Sequence, residues 1–282
     1  QKAIDALGQL LKSDQLDDDT RRQVAESLGY IDPGNQKAID ALGQLLKSNQ
    51  LDDDTRRQVA ESLGYIDPGN QKAINALVQL LGSPQLGDFT RRRVAESLGN
   101  IGQGNQNAID ALVQLLKSDQ LDDCTRRQVA ESLGKIGQGN QNAINTLVQL
   151  LGSHQLYYHT RWRVAESLGN IGQGNQNAIN ALVQLLGSPQ LDDRTLSLVA
   201  VSLGNIGQGN QNAIDALVQL LKSDQLDDDT RRQVAGSLGE IGQGNQNAID
   251  ALVQLLKSDQ LDDDTRRQVA GSLGEIGQGN QN

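Results

Sequence analysis

Methionine is absent from the 282 residues, phenylalanine and tryptophan occur once each, and there is one cysteine. With so few large side chains, the apolar content is alanine, valine, leucine and isoleucine, which suits small helix-to-helix contacts better than one large globular core. Cys124 has no partner for a disulfide within the chain, and secreted domains generally use cysteines in pairs, so a reducing, cytoplasmic setting is expected. No apolar run is long enough to cross a bilayer, and no basic, then apolar, then small-residue leader is present, so no membrane partner is expected. The first residue is Gln instead of Met, which reads as a fragment or a trimmed chain. An excess of positive charge is missing too: a formal charge of −10 and a pI near 4.7 disfavour nucleic acid as a partner.

What the chain has is repetition. Aligning Gln1, Gln36, Gln71, Gln106, Gln141, Gln176, Gln211 and Gln246 gives eight units of 35 residues without insertion. The units are 1–35, 36–70, 71–105, 106–140, 141–175, 176–210, 211–245 and 246–280, followed by Gln281 and Asn282. A period of this length with two apolar segments per unit predicts an all-α helical-hairpin solenoid, read as one array over 1–282, because no unit can bury its apolar face alone.

Within one unit, Ile109, Leu112, Val113 and Leu116 recur at i, i+3, i+4 and i+7, the spacing of an amphipathic helix with Asn105 as its N-cap. The second helix starts in an acidic run, where Asp122 and Asp123 cap free N–H groups and sit at the positive end of the dipole. Val129, Ala130, Leu133 and Ile136 form its buried stripe. Gly137 and Gly139 are expected to end the helix in the left-handed conformation, and Gly134 inside it implies a close helix approach.

"NAIDALVQLL" followed by "DDCTRRQVAESLGKIG" resembles the HEAT-like repeats, in particular the arrays of filamentous cyanobacteria that often follow signalling NTPase or protease domains. The resemblance covers all eight units. It implies a right-handed α-solenoid with the second helices lining the concave side, and it brings no catalytic residues. It also implies that Arg21, Arg56, Arg91, Arg126, Arg161, Arg231 and Arg266 point inward and pair with acidic residues across units; unit six has Leu196 there.

Where the copies disagree is informative. On a helical wheel the variable repeat positions 19, 22, 23, 26 and 30 share one face, opposite the apolar positions 24, 25, 28 and 31. Position 19 is Asp in units one, two, seven and eight, and becomes Phe89, Cys124, His159 and Arg194 between them. Nearby, Trp162 replaces an Arg, Arg93, Arg163 and Leu198 replace Gln, and Val201 replaces Glu. Tyr157 and Tyr158 replace the opening aspartates of unit five. Losing Asp at a helix start gives up dipole stabilisation, and exposing apolar side chains favours misassociation. A protein- or peptide-binding surface on units three to six accounts for both costs, since aromatic and Arg residues supply most interface hot spots. Phe89, Trp162, Leu198 and Val201 are its expected anchors, and Arg92, Arg93, Arg127, Arg163, Arg194, Cys124, Tyr158 and His159 complete it.

Rival readings are drift among copies, local packing of Tyr157 and Tyr158 on a loop, and a purely architectural spacer or self-assembling scaffold, with end-to-end association through Ile4, Leu7 and Leu11 of an uncapped first unit. The chain is either a natural sensor or adaptor segment or an engineered scaffold. Cys124 and His159 lack a third orienting group or an oxyanion donor, so no enzyme is expected. Cys124, His154 and His159 lack metal-site spacing, the Asp triads lack the Gly and Glu of a calcium loop, and "GQGNQ" lacks the Lys of a phosphate loop, so no cofactor is expected either.

Overall fold

The computed structural model describes residues 1–11, 13, 16–48, 51–84, 86–118, 120–153, 156–188, 191–223, 225–258 and 261–277. It divides into two compact units, Gln1–Gly137 and Gln138–Asn282. The described residues form sixteen helices and no strand. The first unit holds α1 (Lys2–Leu10), α2 (Asp18–Ile31), α3 (Gln36–Leu45), α4 (Asp53–Gly64), α5 (Gln71–Leu81), α6 (Asp88–Ile101), α7 (Gln106–Leu116) and α8 (Asp123–Ile136). The second holds α9 (Gln141–Leu151), α10 (Tyr158–Ile171), α11 (Gln176–Leu186), α12 (Asp193–Ile206), α13 (Gln211–Leu221), α14 (Asp228–Ile241), α15 (Gln246–Leu256) and α16 (Asp263–Gly277). Within each unit, each helix packs on its hairpin partner and on the like helix of the neighbouring hairpin, the arrangement of a helical-hairpin solenoid.

The helix starts follow the sequence. Asn105 accepts a hydrogen bond from the Ala108 amide, and Asp122 accepts one from the Thr125 amide. The stripe Ile109, Leu112, Val113 and Leu116 is buried, as are Val129, Ala130, Leu133 and Ile136. The helix ends meet the expectation at Gly139 and differ from it at Gly137. Gly102 and Gly137, which cap α6 and α8, have φ near −92° and −95°; the left-handed residues are Gly104 and Gly139, two positions later, at +67° and +68°. Gly102 is required on other grounds, because a Cβ there would lie 2.6 Å from the Leu98 carbonyl oxygen. The left-handed glycines orient an amide toward the next hairpin: Gly69 donates to the Ile101 carbonyl, Gly104 to that of Ile136, and Gly139, Gly174, Gly209 and Gly244 repeat the bond with Ile171, Ile206, Ile241 and Ile276.

Neighbouring second helices meet closely at a glycine. A Cβ on Gly99 would fall 2.9 Å from the Ser132 Cβ, and Gly29, Gly64, Gly169 and Gly239 make the same approach to Ser62, Ser97, Ser202 and Ser272. Gly274, at the same repeat position in the last hairpin, has nothing within 4 Å. Two expectations for the repeat are corrected. Arg21, Arg91 and Arg231 pair with Asp18, Asp88 and Asp228 one turn back on their own helices, at 3.0, 2.8 and 2.9 Å, because i,i+3 geometry supplies a nearer carboxylate than the next unit does. Ile4 is only 2% exposed, so the first-helix stripe is covered at that residue, whereas Leu7 and Leu11 are partly exposed as expected; Leu10, Tyr30 and Ile31 are the exposed large apolar residues of the first hairpin.

The aspartate caps make acid stability testable. Hydrogen bonds from Thr20, Thr230 and Thr265 hold the carboxyls of Asp17, Asp227 and Asp262 below the usual range. A depressed folded-state pKa contributes stability above the unfolded value of about 3.9, and that contribution is lost as pH falls through the folded value. Resistance to denaturant is therefore expected to fall below about pH 4. Asp227→Asn keeps a capping oxygen without the titration and should flatten that decline. An equal acid slope in wild type and variant would refute this account.

Candidate functional site

Once Val, Ala, Leu and Ile of a second helix are buried, its repeat positions 19, 22, 23, 26 and 30 remain on the unburied face. None of these five positions is buried in hairpins three to six. In hairpins one, two, seven and eight the face follows a simple rule: position-22 Arg pairs with position-19 Asp one turn back, as in Arg22–Asp19, Arg57–Asp54 at 3.4 Å, Arg232–Asp229 and Arg267–Asp264 at 3.3 Å. The middle hairpins break it.

In the first unit, α6 carries Phe89 in its first turn, 47% exposed. The guanidinium carbons of Arg57, Arg92 and Arg93 lie 5.5, 4.9 and 5.4 Å from its ring centroid. Arg93 is steered by two carboxylates, with Nη1 donating to Glu96 at 2.8 Å and Nε 3.3 Å from Glu61. Gly87 leaves α6 without a side-chain cap, and Asp53 of the preceding hairpin takes over the start of the helix, accepting from the Gly87 amide at 3.1 Å and the Thr90 hydroxyl at 2.7 Å. On α8, Cys124 is exposed and Arg127 half-buried.

In the second unit, Tyr157 is the N-cap of α10 and makes no side-chain capping bond. Tyr158 opens the helix with its ring 3.8 Å from that of His159, and both tyrosines are exposed. Trp162 Nε1 donates to His159 Nδ1 at 3.4 Å. Arg163 and Arg194 lie 4.5 and 5.1 Å from the indole, each within cation–π range. Arg163 Nη1 donates to Glu166 at 2.6 Å. Leu198 and Val201, half-buried on α12, are the apolar part of the face.

The sequence-derived residues therefore fall into two groups, one in each compact unit: Phe89, Arg92, Arg93, Cys124 and Arg127, and Tyr158, His159, Trp162, Arg163, Arg194, Leu198 and Val201. Arg57 was not anticipated. It reaches Phe89 from the neighbouring hairpin, a relation signalled only by the nearness of position 22 of one unit to position 19 of the next. Cys124 and His159 belong to different compact units, and His154 lies outside the described residues. Among the described residues no group of three or more His, Cys, Asp or Glu is placed to hold a metal ion, and no helix is long and apolar enough to cross a membrane. The arrangement offers rings faced by guanidiniums: flat apolar area with oriented N–H donors at its margin.

A family model for HEAT repeats matches residues 48–125, 121–202, 160–229 and 192–274. Among solved structures, an engineered protein shares 29% identity at a TM-score of 0.58, with 98% of this chain and 79% of that one covered. Human deoxyhypusine hydroxylase in complex with glycerol is similar at 18% identity and TM-score 0.41, covering 98% and 96%. The CpcE–CpcF complex of phycocyanin lyase from Nostoc sp. PCC7120 is similar at 24% identity and TM-score 0.48, covering 86% and 96%. No curated protein sequence matches the chain.

Proposed function

The chain belongs to the HEAT repeat family, and we propose that it is a non-catalytic module that binds a protein or peptide on the concave surface of repeat units three to six of a single array. The observation carrying this reading is the replacement of Asp–Arg pairs on the unburied face by ring–guanidinium clusters, which among the described residues centre on Phe89 of hairpin three and Trp162 of hairpin five. Phe89, exposed, and Trp162, half-buried, are the anchors, each faced by arginines. Anchors of this kind lose little entropy on binding because their orientation is already set. A cytoplasmic setting fits the unpaired Cys124.

The test is selection of a phage-displayed random peptide pool on the wild-type chain. Trp162, the only tryptophan, reports binding by its fluorescence. Enriched peptides are expected to perturb that emission and to lose affinity when Phe89→Asp or Trp162→Arg restores the background residue. Failure to enrich any peptide, or peptides indifferent to both changes, would favour the architectural alternative, a spacer or scaffold that associates end to end and shows a concentration-dependent mass in sedimentation.

A further inference from the structure

We infer that what binds at each cluster is acidic: Arg92 on the Phe89 ring receives carboxylates in the first compact unit, and Arg194 on the Trp162 ring receives them in the second. This rests on the binding-surface reading above and adds the partner's chemistry.

Charge on the unburied face changes sign within each compact unit. At the five face positions, hairpins one and two set Asp19, Glu26, Asp54 and Glu61 against Arg22 and Arg57. Hairpins three and four set Arg92, Arg93, Arg127 and Lys135 against Glu96 and Glu131. In the second unit, hairpins five and six set Arg163 and Arg194 against Glu166 alone, while seven and eight carry Asp229, Glu240, Asp264 and Glu275 against Arg232 and Arg267. A chain of net charge −10 thus becomes locally cationic where its exposed rings are. A charge distribution of this kind steers an anionic segment to those rings and repels it from the neighbouring hairpins.

Two arginines are set up as receptors. In hairpins one, two, seven and eight the position-22 Arg is occupied by the position-19 Asp of its own helix, as in Arg57–Asp54. Where Asp becomes Phe89, Arg92 is left in no ion pair among the described residues; Asp122 acts on it only through space. Arg194, standing where hairpins one, two, seven and eight have Asp, is exposed, lies over Trp162 and is likewise in no ion pair among the described residues. A guanidinium stacked on a ring keeps its in-plane N–H groups free, and that planar fork matches a carboxylate in bidentate fashion. Substitution at position 19 thus does two things at once: it removes an internal carboxylate and supplies the ring, or the arginine over the ring, that holds a receptor for an external one. Glu61, Glu96 and Glu166 interrupt the cationic surface, which disfavours a continuous polyanion such as single-stranded nucleic acid and suits spaced carboxylates.

The test uses peptides enriched from the display pool, with single-stranded oligothymidylate as competitor, on the wild-type chain and on Arg194→Asp, Arg194→Lys and Arg92→Gln. Arg194→Asp restores the residue of the flanking hairpins, so folding is not at risk. Enriched peptides that perturb Trp162 emission are expected to carry more Asp and Glu than Lys and Arg. Their affinity should fall about tenfold or more with Arg194→Asp, less with Arg194→Lys, and should drop as NaCl rises from about 50 to about 500 mM. Neutral or basic peptides at Trp162 would overturn the acidic partner while leaving the binding surface standing. Acidic peptides indifferent to both Arg194→Asp and Arg92→Gln, or oligothymidylate that displaces them and binds more tightly, would overturn it as well. Absence of any peptide that depends on Trp162 or Phe89 would remove the binding surface itself.

Discussion

Gly99→Ala is expected to lower the melting temperature by several degrees, and Gly274→Ala, the same change at the same repeat position, to raise it. Alanine in a helix interior gains roughly 0.5–1 kcal/mol over glycine, through lower unfolded-state entropy and better helix propensity. Gly274 has nothing within 4 Å, so that gain is kept. At Gly99 the added methyl meets the Ser132 Cβ at 2.9 Å and its Cα at 3.0 Å. Backbone of a neighbouring helix cannot rotate aside, and overpacking of this kind costs about 1–3 kcal/mol, which exceeds the gain. A ΔΔG of that size moves the melting temperature by roughly 2–8 °C in a unit of this length. Circular dichroism at 222 nm on both variants decides it: shifts of the same sign would mean that α6 and α8 separate enough for Gly99 to be ordinary helical glycine. Gly271→Ala, also with nothing within 4 Å, should follow Gly274→Ala.

The second large effect is a loss of affinity without loss of fold. Trp162→Arg together with His159→Asp rebuilds in α10 the position-19 Asp and position-22 Arg that pair on α2, α4, α14 and α16. Returning Asp to the first turn of α10 should contribute about 0.3–1 kcal/mol through the helix dipole, and the ion pair a few tenths more. Removing a Trp anchor typically costs 2 kcal/mol or more in binding, at least about thirtyfold in Kd. A binding titration with enriched peptide beside a thermal melt is therefore expected to show affinity falling and stability holding or rising. A melting temperature that collapses in the double variant would assign Trp162 and His159 to the fold.

The helices were legible because their determinants are local. Asn105 and Asp122 cap within three residues, and Ile109 to Leu116 repeat within one helix. The junctions were not legible in detail: Gly99 meets Ser132, and Gly104 donates to Ile136, across more than thirty residues, and such pairings depend on how closely two helices approach. Of the two glycines expected to be left-handed, Gly139 is and Gly137 is not. At the candidate site, the shared face of positions 19, 22, 23, 26 and 30 follows from helical period alone. The stacking of Arg57 on Phe89 and of Arg194 on Trp162 depends on side-chain torsions and on neighbouring hairpins, which no single-repeat pattern encodes. At Arg21, Arg91 and Arg231 the expected partner across units gave way to Asp18, Asp88 and Asp228 on the same helix, although those arginines are largely shielded from solvent as the family pattern implies.

The six left-handed glycine amides, at Gly69, Gly104, Gly139, Gly174, Gly209 and Gly244, each donate to an isoleucine carbonyl of the following hairpin. Each such N–H exchanges with solvent deuterium only when its own junction opens, so the series is a set of site-resolved breathing meters distributed along the chain. Glycine amides resonate in a sparse region of a nitrogen–proton correlation spectrum, which makes them readable even among near-identical repeats. A bound segment slows exchange at the junctions it bridges and leaves the others unchanged, so six rates measured with and without ligand map its footprint to the nearest hairpin.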